Sequence, residues 1–250
     1  MKLCVPLPCF FKQEDMLSSI GRIKEIGYDT VEIYNWVGLD LKALSAELKM
    51  SGVEMRSMCT SFFKLTEKEY RQSWLDGLKA SCEAANTVGA KRLITQVGND
   101  VGIGRDEQHK NIVETLSVGA EILKEYGVVL MPEPLNVLVD HPGYYLTSAK
   151  EGFDIIKEVG SPNVKLIYDI YHQQITEGNI IPTIKENLPL IAHMHAAGHP
   201  GRHEPWMGET DYKFVFKTLD ELGYDGAVGL EYKPTMDPIT SLKMAREIYG

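Results

Sequence analysis

The chain has 250 residues, of which 44% are apolar and 24% charged, with a formal net charge of −9. That length suits one (β/α)8 barrel or two smaller domains, and the composition supplies a full core of ordinary soluble character. The charge argues against nucleic-acid binding driven by phosphate neutralisation, and no run nears the roughly 20 apolar residues of a membrane span.

In chain order, strands are predicted near Leu3–Cys9, Thr30–Asn35, Val53–Thr60, Arg92–Val97, Val128–Asn136, Val164–His172, Leu190–Ala197 and Gly226–Tyr232. Amphipathic stretches separate them. Met16, Ile20 and Ile23 share one helical face, as do Ile112, Leu116 and Leu123, and then Tyr212, Phe216, Leu219 and Leu222. Gly27, Gly52, Gly89, Gly127, Gly160 and Gly223 each end a helical stretch shortly before a strand, where a residue without Cβ turns the chain most cheaply. Runs such as VVLMP and KLIYD are almost continuously apolar, as parallel strands covered on both faces require. Eight such units in a single domain over residues 1–250 predict an α/β fold, a (β/α)8 TIM barrel. An open doubly wound sheet is the alternative, but no GxGxxG follows the first strand.

In a TIM barrel the working residues stand at the C-terminal strand ends. Strand five ends in Met-Pro-Glu133-Pro-Leu-Asn136, strand six in Tyr-Asp169-Ile-Tyr-His172, strand seven in His193-Met-His195, and strand eight in Leu-Glu231-Tyr-Lys233-Pro. Each has an ordinary reading alone: Glu231 as a solvated loop residue, Asp169 as a helix N-cap, the histidines as satisfied core residues. Together, three carboxylates and an imidazole on one rim read as a site for one divalent metal held by Glu133, Asp169, His195 and Glu231. The oxygen-rich set favours Mn²⁺, Mg²⁺ or Co²⁺ over a closed thiolate zinc site. His193, deeper in its strand, is assigned a structural role, and His195 requires a partner on its other nitrogen.

His172 is expected at the start of a loop, within reach of a substrate hydroxyl. The Gly- and Pro-rich segment 198–209 carries Arg202, whose guanidinium suits an oxygen-rich small-molecule substrate. Trp206 in the same loop is odd as a solvent-exposed residue. Phe10, Phe11 and Trp36 are expected either to wall the pocket or simply to pack. The cysteines, Cys4, Cys9, Cys59 and Cys82, form no CxxC, and Cys4 and Cys9 share a predicted strand where they cannot easily bridge. The N-terminal MKLCVPLPCF has no long apolar stretch of the signal-peptide kind. A reduced, cytoplasmic protein without membrane or nucleic-acid partners is the expectation, with a homo-oligomer left open.

The second half of the chain resembles the xylose isomerase-like barrel superfamily, and most closely hydroxypyruvate isomerase-type proteins. The resemblance rests on E-P-L-N at Glu133–Asn136, H-P-G-Y-Y-L at His141–Leu146, D-I-Y-H at Asp169–His172, P-G-R-H-E-P at Pro200–Pro205, G-E at Gly208–Glu209 and G-L-E-Y-K-P at Gly229–Pro234. It implies metal ligation by Glu133, Asp169, His195 and Glu231, proton transfer by Glu133 and Glu231, and substrate contacts from His172 and Arg202. The implied reaction is isomerisation of hydroxypyruvate to tartronate semialdehyde through an enediolate, with Arg202 and Lys233 as candidates to neutralise the substrate carboxylate. The family's isomerases usually carry Gln where His195 stands, whereas ketose 3-epimerases of the D-tagatose 3-epimerase type carry His. An epimerase acting on a ketose is therefore the alternative, and a sugar-acid or inosose dehydratase a further one. A repair endonuclease on the same barrel needs additional early histidines, yet none precedes His109. A thiol enzyme using Cys9 or Cys59 has no evident base.

Overall fold

The computed structural model describes residues 1–61 and 64–250. Among them the strands are β1 (Lys2–Pro6), β2 (Thr30–Glu32), β3 (Glu54–Cys59), β4 (Arg92–Thr95), β5 (Val129–Pro132), β6 (Leu166–Asp169), β7 (Ile191–Ala196) and β8 (Ala227–Leu230). The helices are α1 (Leu7–Phe10), α2 (Gln13–Glu25), α3 (Leu41–Ser51), α4 (Arg71–Val88), α5 (Arg105–Tyr126), α6 (Ala149–Val159), α7 (Ile170–Thr176), α8 (Ile180–Asn187), α9 (Tyr212–Glu221) and α10 (Pro238–Tyr249).

Every strand pairing is parallel, in the order β5-β4-β3-β2-β1-β8-β7-β6. The two ends of that sheet meet through a parallel bridge between Leu130 and Val164. Leu130 N donates to Asn163 O at 2.8 Å, and Lys165 N donates to Leu130 O at 3.0 Å. This nearly closes the barrel, so the open-sheet alternative falls.

The six expected cap glycines all have positive φ, from 62° at Gly160 to 93° at Gly27. The predicted helical faces are buried on α2 and α5, and on α9 except for Leu222, which follows the helix and is half-buried. The strands are shorter than predicted because several working residues lie just beyond them. Cys9 falls in the short helix α1 rather than in a strand shared with Cys4, and all four cysteines are free. His172 lies in the first turn of α7, not in a loop, and is fully buried.

Most apolar side chains pack between the barrel and its helices. Inside the barrel, Ile94, Met131 and Ile167 form a smaller apolar cluster. The rest of the interior is polar: Glu32, Ser57, His193 and His195 are all buried and in mutual contact. No helix of the described residues is long and apolar enough to cross a membrane.

The contact between α4 and α5 shows how tightly the outer layer packs. A Cβ at Gly119 of α5 meets Trp74 Cζ3 of α4 at 2.9 Å and Leu78 Cδ2 at 3.1 Å. Trp74 is fully buried and cannot give way freely. Replacing a mid-helix glycine by alanine ordinarily stabilises by about 0.5–1 kcal/mol. Here Gly119→Ala is expected to destabilise instead, by about 1–3 kcal/mol of overpacking. Urea unfolding followed by circular dichroism checks the sign; a gain in stability contradicts the close contact.

Candidate functional site

Four strand ends deliver the site. Glu133 follows β5 between two prolines, which limit its backbone freedom. Its N–H donates to Thr95 O at 3.1 Å, and its carbonyl accepts from the Tyr144 hydroxyl at 3.0 Å. Asp169 ends β6 and also caps α7: Oδ1 accepts from Tyr171 N at 2.8 Å and His172 N at 3.3 Å. The cap is made by Oδ1 alone, which leaves Oδ2 without a hydrogen-bond partner beside Glu133 and Glu231. His195 lies on β7, and Glu231 follows β8 with its N–H donating to Ala196 O at 3.0 Å.

These side chains converge. His195 Nδ1 lies 3.2 Å from Glu231 Oε2 and 3.8 Å from Glu133 Oε1. Glu133, Asp169, His172 and Glu231 each bring a potential ligand atom within 4.8 Å of the others. Among the described residues, Glu133 Oε1, Asp169 Oδ2, His172 Nε2 and His195 Nδ1 are buried without a hydrogen-bond partner. Unpartnered buried polar atoms are costly, and several facing one point fit a shared cation and substrate.

The two histidines play different parts. His172 Nδ1 accepts from the Asn136 backbone N–H at 3.2 Å and lies 2.7 Å from Asn136 Nδ2. Its proton must then sit on Nε2, which stands 3.5 Å from Asp169 Oδ2 without a hydrogen bond to it. Burial, and after it the charge of Arg202, push its pKa down to about 3, so it stays neutral. His195 is the reverse, with Nε2 3.1 Å from Glu32 Oε2 and Nδ1 turned to the site. Glu32 was not singled out from the sequence. The available signal was an acidic residue inside the apolar run Val31-Glu32-Ile33.

Arg202 supplies positive charge among these carboxylates. Its Nη2 donates to Glu231 Oε2 and lies 3.7 Å from Asp169 Oδ2, and its guanidinium sits 5.1 Å from the Tyr171 ring centroid. The loop after β7 is pinned by a Gly198–His203 bridge, and Arg202 adopts φ 57° within it. That left-handed conformation costs about 1–2 kcal/mol for a residue with a Cβ, which the ion pairs offset. Tyr34, also missed in the sequence, donates to Glu231 Oε1 at 2.6 Å.

A cavity of about 520 Å³ opens on this cluster. Glu133, His172, His195, Arg202 and Glu231 line it, opposed by the neutral polar Asn35, Thr60, Ser61 and Gln96. Lys233 is exposed and is not among the lining residues; its backbone N–H donates to Arg202 O at 2.7 Å. Phe10, Phe11 and Trp36 do not line it either. Phe10 packs edge-on against Tyr232 with ring centroids 4.9 Å apart, and half-buried Trp206 packs on the same ring at 6.5 Å.

Protonation in the cluster is uneven. Burial, then the charge of Glu231, raise the Glu133 pKa to about 8. The same two causes raise Asp169 to about 6. Burial works against ionising Glu231 too, but Arg202 and His195 outweigh it and hold this carboxyl well below the usual range. For His195, burial is outweighed by the charges of Glu231 and Glu32, which raise its pKa.

These raised values have a consequence for stability. Above the ordinary carboxylate range and up to about pH 8, folded Glu133 and Asp169 bind more protons than they do unfolded, so stability falls as pH rises. In chelator, Tm is expected to drop between about pH 5 and about pH 8, and Glu133→Gln is expected to flatten the drop. Calorimetry across that range checks it; a Tm rising with pH, or a slope indifferent to Glu133→Gln, contradicts the assignment.

Over 243 residues the chain is 29% identical to the hydroxypyruvate isomerase of Escherichia coli K12, an alignment covering 94% of each. Over 253 residues it is 27% identical to a 2-oxo-tetronate isomerase of Haemophilus influenzae, covering 96% of each. Among solved structures, an AP endonuclease of family 2 from Brucella melitensis matches with a TM-score of 0.94 at 25% identity, over 100% of both chains. The D-psicose 3-epimerase of Clostridium cellulolyticum H10 with D-tagatose matches with a TM-score of 0.86, covering 100% of this chain and 98% of that one; at 18% identity it speaks to the fold alone. The family model for the xylose isomerase-like TIM barrel matches residues 20–248, from within α2 to within α10, and the chain belongs to that family.

Proposed function

We propose that this chain is a metal-dependent isomerase that moves a proton between adjacent carbons of a small α-hydroxy keto acid, such as hydroxypyruvate giving tartronate semialdehyde. The observation that carries it is the convergence of Glu133, Asp169 and Glu231, whose potential ligand atoms lie within 4.8 Å of one another, with His195 Nδ1 3.2 Å from Glu231 Oε2 and 3.8 Å from Glu133 Oε1; Glu133, Asp169 and His195 each carry an unpartnered buried atom there. Three carboxylates and one imidazole suit a hard or borderline divalent ion, Mn²⁺, Mg²⁺ or Co²⁺. When bound, such an ion polarises a carbonyl and offsets negative charge on the enediolate.

Glu231, held ionised by Arg202 and His195 and steadied by Tyr34, is placed to take a proton from the substrate carbon, and the same glutamate or Glu133 returns it. Isomerisation needs return to the neighbouring carbon, which a base on one face achieves. The Nε2–H of His172 points into the site and donates to a substrate oxygen without changing charge. Arg202 lines the cavity where Lys233 does not, so the substrate carboxylate falls to Arg202. The relatives named as hydroxypyruvate and 2-oxo-tetronate isomerases act on acids of this kind. A phosphodiester backbone is poorly served by an acidic rim on a chain of net charge −9. Four free thiols accord with a reducing, cytoplasmic setting.

A ketose 3-epimerase is the second reading, favoured by one feature. The cavity of about 520 Å³ is roomier than a three-carbon acid requires, and its far wall of Asn35, Thr60, Ser61 and Gln96 suits a polyol. Epimerisation uses Glu133 and Glu231 on opposite faces of one carbon.

NMR in D₂O of the Mn²⁺- or Mg²⁺-supplied enzyme with hydroxypyruvate, a four-carbon keto acid and a set of ketoses separates the readings by product and site of deuteration. Deuterium entry and a rearranged acid are expected; epimerised ketose alone selects the second reading, and no exchange with any substrate overturns both. Arg202→Lys is expected to lower kcat/KM for a keto acid about 10–100-fold, the worth of a charge-assisted bidentate contact, and to affect a neutral ketose less. Equal loss on both substrates removes Arg202 from carboxylate recognition.

A further inference from the structure

The interior of the barrel holds a second set of polar contacts beneath the site. Glu32 ends β2 and is completely buried. Its Oε1 lies 3.0 Å from His193 Nε2 and its Oε2 3.1 Å from His195 Nε2, while Oε2 also accepts from Ser57 Oγ. In the sheet β2 is separated from β7 by β1 and β8, so this carboxylate spans the barrel interior to reach both histidines.

The space for that reach is specific. A Cβ built on Gly229 of β8 meets Glu32 Oε1 at 2.4 Å, His195 Cδ2 at 2.6 Å and His195 Nε2 at 3.0 Å. Gly229 is not among the positive-φ glycines, so its backbone conformation does not account for the glycine. What requires it is the close passage of the Glu32–His195 contact over its Cα.

We propose that Glu32 is a positioning residue, set over Gly229, that keeps the His195 proton on Nε2 and so presents the Nδ1 lone pair to the cation site. Burying a carboxylate costs several kcal/mol, and an apolar side chain fills a barrel core more cheaply. A carboxylate offers something an apolar group cannot: it only accepts, so each imidazole it touches must place an N–H there. His195 then has one free nitrogen, Nδ1, and it faces Glu133 and Glu231. His193 takes the other oxygen of Glu32 and Ser57 holds the first, so the carboxylate plane is fixed against rotation. The structural role expected for His193 thereby becomes specific: it anchors the group that orients His195. The inference rests on the metal reading of the site, and its test keeps the two apart.

Free Mn²⁺ measured by EPR gives the affinity without any turnover. Wild type is expected to bind and Glu133→Gln to lose binding; if wild type binds no Mn²⁺, the metal reading fails by itself. Glu32→Gln is expected to weaken binding about 10–100-fold, the usual effect of removing a carboxylate behind a ligating histidine. Long-range ¹⁵N–¹H NMR supplies a readout that loosened packing does not move. With Mg²⁺, wild-type His193 and His195 are both expected as Nε2–H tautomers. In Glu32→Gln the side-chain amide accepts at only one atom, so one of the two histidines is expected to switch. Gly229→Ala keeps every polar group but wedges the contact apart, and is expected to weaken Mn²⁺ binding likewise; it decides the matter if Glu32→Gln does not fold. A wild-type His195 protonated on Nδ1 and bare on Nε2 overturns the proposal. So does unchanged Mn²⁺ affinity in the folded variants.

Discussion

Four carboxylates, Glu32, Glu133, Asp169 and Glu231, lie inside one barrel with little or no access to water, and much of the local structure serves to make that tolerable. Charge taken out of water must be neutralised by protonation, by a partner or by a cation. The first two operate among these four. Glu133 and Asp169 are raised toward protonation, Glu231 is paired with Arg202 and His195, and Glu32 is held between two imidazoles. Unpartnered atoms of Glu133, Asp169, His172 and His195 remain beside this cluster, a donor set of the kind that suits a cation.

The barrel converts this electrostatic demand into geometry. Parallel strands end on one side, so residues distant in sequence arrive on a common floor with rigid backbones behind them. The backbone hydrogen bonds of Glu133 and Glu231 to neighbouring strands fix where each carboxylate begins. Loops then add what strands cannot. Arg202 accepts an unfavourable φ to direct its guanidinium inward. Its loop is tied down by buried Glu204, which accepts from Thr235 N, Thr235 Oγ1 and Ser241 Oγ beyond β8. Positive charge is thereby fastened next to the carboxylates by contacts that lie away from the cavity.

Much of this was legible in the sequence because strand-end residues break local pattern. Glu133 between prolines, Asp169 after KLIY, and Glu231 after VGL are charges where parallel strands should be apolar, and the structure brings them together with His195. Glu32 broke pattern in the same way within Val31-Glu32-Ile33 but passed unnoticed, because the second strand contributed no other ionisable residue beside it. Tyr34 and Asn136 are ordinary residues in sequence; they matter through a hydrogen bond to Glu231 and a tautomer imposed on His172. Lys233 illustrates the reverse case. It stands two residues past Glu231 and carries the right charge, but the chain has turned outward by then and only its backbone faces Arg202.

The sequence by itself determined the eight-unit rhythm, the family and the residues at the four strand ends, since periodicity, cap glycines and misplaced charges are local properties. Tertiary structure decided which nitrogen of each histidine faces the site, which carboxylate is ionised, and why Gly229 carries no side chain. Those depend on distances across the barrel between residues more than 160 positions apart, such as Glu32 and His195, and on burial that makes each unpaired charge costly. No spacing along the chain encodes them.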